Sequence, residues 1–242
     1  MFGRRKQPSS LTLWCTADPP TLRALAEVGW RSFPQAGAQD TALESFRLRD
    51  DAVHVARSDL VAAQGEGSVV VFDVAPDLPD WSGVVTDGDR LRIPKGRRLT
   101  KALVGEISEE AQYQRGVPHA EVDAVRDAFG WPVPSAWREM VTAAGWLRRG
   151  WMLSGAYVEL HPPVDAIRVT REWTSEMIYH PGVLVIGSNG ADRHLAVDLR
   201  EDDPAVHLVE PSSVGWEDTV VQAPSVRVLA HRLETGDFGY LA

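Results

Sequence analysis

The chain has 242 residues, enough for one large domain or two of ordinary size, and 44% of them are hydrophobic, which excludes an intrinsically disordered chain. Residues 1–116 carry 16 acidic and 15 basic side chains, a balance of −1, whereas residues 117–242 carry 18 acidic and 10 basic, a balance of −8. This asymmetry disfavours nucleic acid and anionic membranes as ligands and favours a basic protein partner, with plain solubility as the alternative explanation.

The single cysteine, Cys15, excludes an intrachain disulfide and a thiolate metal cluster. The apolar region after the basic residues 4–6 is too short for a secretory signal, and no stretch approaches the ~20 apolar residues of a membrane span. We therefore expect a cytoplasmic protein that does not bind a membrane. Its oligomeric state does not follow from the sequence.

The first half of the chain predicts a leader, a small domain and a linker. Residues 1–18 show no clear pattern and are predicted to be a flexible leader. Residues 19–107 predict a small α+β domain, in which Thr21 is the expected N-cap of the first helix and residues 68–74 form a buried strand. Residues 108–117, which contain two adjacent glutamates and a glycine, are predicted to be the linker. No family is recognisable in this half.

The second half predicts an α+β domain over residues 118–238, with helices at both ends of the sequence and a mainly antiparallel sheet between them. Apolar residues at helical spacing predict a helix from about residue 119 to 129, ended by Gly130. A second helix is predicted to have Ser135 as its cap, and a final helix follows Ser225.

A hairpin is the clearest strand signal in the chain. Residues 183–186 are apolar and mostly β-branched, and residues 194–199 resume an extended apolar pattern after a loop. The pair Asn189-Gly190 in that loop readily adopts the positive φ angles that a hairpin turn needs. We therefore predict two antiparallel strands at the centre of a sheet.

Short motifs follow one another through residues 118–238: Phe129-Gly130, Val133-Pro134, Trp137 to Val141, Gly182 to Gly187 with Asn189-Gly190, Leu195 to Asp198, and Ser225 to Leu233. In their order and spacing they resemble the SUKH superfamily. That family includes fungal regulators of cell-wall glucan synthesis and bacterial immunity proteins that neutralise polymorphic toxins. The residues that match the family pattern are Gly130, Pro134, Trp137, Gly187, Asn189, Gly190 and Asp198.

The resemblance implies a protein that blocks a secreted bacterial toxin by binding it stoichiometrically. One departure concerns the end of the second helix, where the family often has an Asn-Gly pair and this chain has Ala144-Gly145. A turn survives on the glycine alone, but a contact made by the asparagine would be lost.

Exposed aromatic residues in the acidic half are the expected anchors for a partner. Five of the nine tryptophans follow a glycine, and turns flank Trp131, Trp146 and Trp216. Tryptophan is enriched at binding hot spots, although most tryptophans pack in cores. We therefore predict that these three indoles contact the partner, with a core position as the alternative for each.

An acidic rim is predicted beside these anchors. Asp192 and the run Glu201, Asp202 and Asp203 would attract a cationic surface and raise the rate of association. For Asp198 we expect a structural role, in which its carboxylate binds backbone at the end of the hairpin.

No catalytic or metal-binding pattern is recognisable. The seven histidines form no HxxxH or similar pair, and no nucleophile has an evident base beside it. The hypothesis is therefore a non-enzymatic protein, without metal or cofactor, that inhibits by occlusion. Two alternatives stay open: an intracellular scaffold or regulator, and an enzyme in residues 1–116 whose pocket would be lined by groups such as His54, Asp59 and Asp73.

Overall fold

A computed structural model describes four parts of the chain: residues 10–34, 42–173, 179–210 and 212–241. The protein is α+β and its strands pair in antiparallel fashion, which confirms the predicted class. The backbone forms two compact units, Met1–Gln112 and Tyr113–Ala242, which we name unit 1 and unit 2. The division falls inside the predicted linker. Residues 1–9 of the predicted leader lie outside the described residues.

Unit 1 is built on strands that alternate with short helices. The strands are β1 (Leu11–Ala17), β2 (Ala42–Phe46), β3 (Glu66–Val74), β4 (Val85–Asp87), β5 (Arg90–Pro94) and β6 (Ser108–Gln114), the last of which reaches the unit boundary. Their order in the sheet is β6-β3-β1-β2-β5-β4. The helices are α1 (Pro19–Glu27), α2 (Arg49–Val55), α3 (Val61–Gln64) and α4 (Arg97–Ala102), with a π-helical turn over Ala56–Leu60.

Two boundary predictions in this half are wrong. Residues 11–17 of the predicted leader form β1, which pairs with β3 along its whole length and buries Leu13, Cys15 and Ala17. Residues 108–114 of the predicted linker form β6. Both strands alternate buried and solvent-facing residues, so neither presents the continuous apolar run that marks a fully buried strand.

The first helix begins earlier than predicted. Asp18 is its N-cap, and the Asp18 carboxylate accepts a hydrogen bond from the Thr21 backbone N–H at 2.9 Å. Pro19 occupies the first turn, where the missing N–H of proline costs nothing. The Thr21 backbone N–H is therefore capped by Asp18, and Thr21 is not itself the N-cap residue.

Unit 2 consists of helices and an antiparallel meander. The helices are α5 (His119–Phe129), α6 (Ser135–Thr142), α7 (Pro163–Glu172) and α8 (Val226–Thr235). The strands are β7 (Trp146–Trp151), β8 (Tyr157–Leu160), β9 (Val183–Ser188), β10 (His194–Asp198), β11 (Val206–Val209) and β12 (Val220–Ala223). From β7 to β12, each strand pairs with the next along the chain.

The predicted hairpin is confirmed as β9 and β10. Val183 pairs with Asp198 and Gly187 with Leu195, with a bulge after Leu195. The Asn189 side chain closes the turn by accepting hydrogen bonds from two backbone N–H groups, at 2.9 and 3.2 Å. Strands β8 and β11 flank the hairpin, so β9 and β10 are interior strands of unit 2.

Of the three helices predicted in unit 2, α5 and α8 begin as predicted, and α6 does not have the predicted cap. Helix α5 has the predicted bounds, and Ser225 caps α8 by accepting from the Val228 N–H at 3.4 Å. Ser135, the predicted cap of α6, is the first helical residue instead, and Pro134 precedes it without a side-chain cap. Proline fixes its own φ but has no side-chain hydrogen-bond acceptor, so the residue before α6 caps no backbone N–H of the helix.

Helix α7 provides a hydrogen-bond partner for the part of β9 that does not pair with β8. Strand β8 ends at Leu160, and the backbone N–H of Val185 donates to the Thr170 hydroxyl at 2.9 Å. The Thr170 side chain is fully buried. A buried backbone N–H needs a partner, so this threonine completes the hydrogen bonding of the sheet.

Candidate functional site

Trp216 is a predicted anchor that the structure leaves partly exposed. It begins a short 3-10 turn, Trp216–Asp218, in the connection between β11 and β12. The indole Nε1 donates a hydrogen bond to the backbone oxygen of Pro181 at 3.2 Å. The polar edge of the ring is thus held by the protein while part of the apolar ring stays accessible to a partner.

Two histidine rings pack edge-on against Trp216. The His180 ring is fully buried, and its centroid lies 5.3 Å from the indole centroid at an interplanar angle of 87°. The His207 ring lies at 5.0 Å and 62°. His180 Nε2 is 3.1 Å from the Gly215 carbonyl oxygen, and His207 Nδ1 is 2.6 Å from the Thr219 hydroxyl. The two histidines therefore contact both the indole and the turn that carries it.

Acidic side chains border this ring cluster. Five exposed carboxylates occupy the turn after β10 and the turn of Trp216 itself: Glu201, Asp202, Asp203, Glu217 and Asp218. Burial lowers the pKa of His207, and the nearby charges of Glu201 and Asp198 oppose that shift. We call Trp216, His180, His207 and the five exposed carboxylates the Trp216 surface.

Asp198 holds the end of the hairpin together. Its buried carboxylate accepts hydrogen bonds from the Arg200 backbone N–H at 2.9 Å and from the Arg200 guanidinium at 2.6 to 3.1 Å. These bonds raise the pKa of Arg200 above its ordinary value. A Cβ on Gly182 would lie 2.4 Å from the Asp198 carboxylate, so only glycine fits beside it. The geometry is that of a structural residue.

The prediction that Trp146 is an interface anchor is wrong. Its side chain is 3% exposed and packs in the core of unit 2. The indole Nε1 donates to the Arg115 backbone oxygen at 3.1 Å. Trp146 is the first residue of β7, and its side chain lies on the face of the sheet that packs against the core.

Two other predicted contact residues lie outside the Trp216 surface. Trp131 is 43% exposed in the connection between α5 and α6, and the described ring contacts of Trp216 do not include it. Asp192 is exposed in the turn between β9 and β10, whereas Glu201 follows the opposite end of β10. A strand of this length spans about 16 Å. The predicted acidic rim is therefore divided between the two ends of β10.

The sequence reasoning missed the two histidines of the site. His207 lies on β11 between the buried residues Val206 and Leu208, a pattern that predicts only a side chain on the other face of the strand. His180 precedes the hairpin in a segment with no strong pattern. Their proximity to Trp216 depends on strand pairing, so the chain carries no local signal for it.

Three glycine and asparagine positions of the family pattern shape the hairpin. A Cβ on Gly187 would lie 2.5 Å from the Glu159 backbone oxygen, and one on Gly190 would lie 2.6 Å from the Tyr157 ring. Asn189 closes the turn between them. These residues determine the backbone conformation of the hairpin and do not belong to the Trp216 surface.

The remaining pattern residues build the helical side of unit 2. Gly130 ends α5 with φ +76°, and Pro134 precedes α6. Trp137 is fully buried in the core, and within the described part of the chain its indole N–H has no hydrogen-bond acceptor. The seven pattern residues thus contribute to folding, and of these Asp198 also lies close enough to His207 to affect its pKa.

The described residues of both units were predicted to contain neither a metal site nor a membrane span, and His54, Asp59 and Asp73 were the residues suggested for a pocket in unit 1. Within the described ranges, no three His, Cys, Asp or Glu side chains are grouped so as to hold a metal ion. The same ranges contain no helix with the length and apolar character to cross a bilayer. In unit 1, the Asp59 carboxylate accepts a hydrogen bond from the neighbouring Ser58 hydroxyl, and the Asp73 carboxylate accepts one from Thr12 on the paired strand at 2.7 Å. His54 is exposed on α2.

No protein-family model matches the chain, and no curated protein matches it. The resemblance of residues 118–238 to the SUKH superfamily stays a prediction from the order of motifs.

Proposed function

We propose that this protein binds a basic protein partner through the Trp216 surface and inhibits it by occlusion, without catalysing a reaction. The observation that carries the proposal is a partly exposed indole contacted by two histidine rings, with five exposed carboxylates on its own turn and on the turn after β10. A central aromatic anchor with charged surroundings is the arrangement that combines affinity with fast, selective association.

The distribution of charge supports a cationic partner. Residues 113–242 carry 18 acidic and 11 basic side chains, a balance of −7. At physiological ionic strength charges are screened beyond about 8 Å, so the carboxylates close to Trp216 matter more than the total. We therefore expect added salt to slow association more than it speeds dissociation.

The resemblance to immunity proteins supports a toxin as the partner. Such a partner would be encoded by a neighbouring gene, and binding would block its action in a one-to-one complex. An intracellular scaffold would use the same surface for a partner without toxic activity. Measuring whether the bound partner loses its activity separates these two roles.

The test uses the purified full chain and each protein encoded beside its gene, with binding measured at low and at moderate salt. We expect a one-to-one complex with a basic partner and weaker binding at moderate salt. Trp216→Ala is expected to weaken binding at least about tenfold. Glu201→Lys is expected to slow association, because it reverses a charge beside the anchor.

Matched controls come from residues outside the Trp216 surface. Trp131→Ala removes another exposed indole, and Asp192→Lys reverses another exposed carboxylate. Both are expected to change affinity by no more than about twofold. The proposal fails if no neighbouring product binds, or if Trp131→Ala weakens binding as much as Trp216→Ala.

A further inference from the structure

We infer that His180 and His207 are positioning residues, which hold the Trp216 indole in place by donating hydrogen bonds from different ring nitrogens. His180 precedes β9 and His207 lies on β11, so the two rings approach the turn of Trp216 from separate elements. The inference rests on the proposed role of the Trp216 surface, whose partner-binding orientation these residues would maintain.

The hydrogen on His180 is assigned by its partner. Its Nε2 lies 3.1 Å from the backbone oxygen of Gly215, and a carbonyl oxygen only accepts hydrogen bonds. Nε2 of His180 therefore carries a hydrogen. Gly215 is buried and has φ +115°, so this bond fixes the backbone immediately before Trp216 in a conformation that favours glycine.

The hydrogen on His207 follows from the hydroxyl of Thr219. That hydroxyl has one hydrogen, and it donates to the backbone oxygen of Trp216 at 2.6 Å. Towards His207 Nδ1, at 2.6 Å, the same oxygen must accept, so Nδ1 of His207 carries a hydrogen. Burial lowers the pKa of His207 below its ordinary value, although the charges of Glu201 and Asp198 oppose the shift, so at neutral pH the ring is neutral with its hydrogen on Nδ1.

These bonds restrain Trp216 on three sides. His180 holds the residue before it, the pair His207 and Thr219 holds its carbonyl oxygen, and its own indole N–H is held by Pro181. A partly exposed apolar ring gains by packing down onto the surface. Restraints of this kind keep it available and reduce the entropy that a partner must overcome on binding.

Amide side chains distinguish the two ring nitrogens. A glutamine amide nitrogen reaches the position of imidazole Nε2, and an asparagine amide nitrogen reaches that of Nδ1. His180→Gln and His207→Asn therefore retain the donor, whereas His180→Asn and His207→Gln remove it. This opposite order at the two positions is not expected if the histidines merely fill space.

The experiment is NMR spectroscopy of the full chain, labelled with ¹⁵N, at neutral pH. We expect nitrogen shifts that place a hydrogen on Nε2 of His180 and on Nδ1 of His207. Hydrogen exchange at the Trp216 indole N–H is expected to accelerate about tenfold in His180→Asn and His207→Gln, and by no more than about twofold in His180→Gln and His207→Asn. The amide spectrum of each variant shows whether that variant is folded. The ring-nitrogen shifts are measured on the wild-type protein, so they test the hydrogen positions even if a variant fails to fold.

Partner affinity supplies a second measurement. With the neighbouring gene product that binds, the two donor-removing variants are expected to bind about tenfold more weakly and the two donor-retaining variants within about twofold of wild type. A hydrogen on the other nitrogen of either ring, or equal exchange rates in all four variants, overturns the inference. Expected shifts and exchange rates without any binding partner would leave the positioning role standing and overturn the proposed function alone.

Discussion

The two units bury different kinds of side chain. Among the described residues, the buried polar side chains of unit 1 are Ser45 and Ser68. Unit 2 buries seven: His161, Thr170, His180, Ser188, Asp198, Gln222 and Ser225. Since a buried polar group is costly unless it is hydrogen-bonded, each of these must either find a partner or destabilise its unit.

In unit 2 most of these groups fix backbone outside the strand ladder. Thr170 binds the edge of β9, Ser225 caps α8, and the Gln222 side chain both donates to and accepts from the backbone of Leu241. Polar contacts in unit 1, such as Thr12 with Asp73, instead join neighbouring strands near the surface. In unit 2, therefore, buried polar side chains fix the backbone of turns and helix ends by hydrogen bonds. The candidate binding surface lies on such turns.

The largest expected effect tests whether unit 2, despite these polar groups, still depends on its apolar core. Trp137 is fully buried among apolar residues of α5, α6 and the sheet. Trp137→Ala is expected to lower the free energy of unfolding by about 3–5 kcal/mol, measured by urea denaturation. The matched change Trp131→Ala, at a 43% exposed indole, is expected to cost no more than about 1 kcal/mol. Equal costs would contradict this view of the core.

A second prediction concerns the apolar interior of unit 1. Burial raises the pKa of the Cys15 thiol to about 12, with Lys95 opposing the shift. Because the thiolate is the reactive form, a disulfide reagent at pH 8 is expected to react with the native chain about a thousandfold more slowly than with the urea-unfolded chain. Native labelling at the unfolded rate would show that β1 is accessible to solvent.

Unit 2 is expected to be sensitive to acid because of His161. This side chain is 7% exposed, and neither ring nitrogen has a hydrogen-bond partner among the described residues. Burial first, and the nearby Arg148 guanidinium second, lower the pKa of His161 to about 4. The unfolded chain takes up a proton near pH 6.5 while the folded chain does not, so stability present above pH 6.5 is lost as the pH falls towards 4.

The contribution of His161 is isolated by comparison with His161→Leu. Between pH 7 and pH 4 the wild type is expected to lose about 3 kcal/mol more unfolding free energy than this variant, measured by urea denaturation at a series of pH values. At pH 7 the variant is expected to be nearly as stable as wild type, because leucine leaves no unpaired polar group in the site. Parallel pH profiles for the two proteins would rule out His161 as the source.

The smallest expected effect separates the two ends of β10. Glu201 lies at the Trp216 surface and Asp192 at the hairpin turn, and both side chains are exposed. For the partner identified as above, Glu201→Gln is expected to reduce the association rate about threefold at low salt, whereas Asp192→Asn is expected to leave it within experimental error. Equal effects would mean that the partner covers both ends of the strand.

Local signals account for the parts of the fold that could be predicted. Apolar spacing and Gly130 mark the limits of α5, Ser225 marks the start of α8, and Asn189-Gly190 marks the turn between β9 and β10. Strands β1 and β6 were missed because buried and less buried residues alternate along them, and only pairing with β3 shows that one face of each is buried.

Identical local patterns gave opposite results for the candidate site. Trp146 and Trp216 both follow a glycine beside a turn, yet one is a core residue and the other lies at the surface. No property of either dipeptide distinguishes them, since burial depends on which elements pack above the ring. Trp216 and Glu201 could therefore be proposed from the sequence as partner-binding residues. That Trp146 and Asp192 lie outside the candidate site could not be predicted from it.

The sequence by itself determined the α+β class, the central hairpin and the concentration of negative charge in the second half, because these follow from periodicity, turn residues and composition. Only the tertiary structure decided which indole stays accessible and which histidines hold it. His180 and Gly215 are 35 residues apart, and His207 and Thr219 are 12 apart. Contacts over such separations exist only after the strands have paired, so no local segment of the chain can encode them.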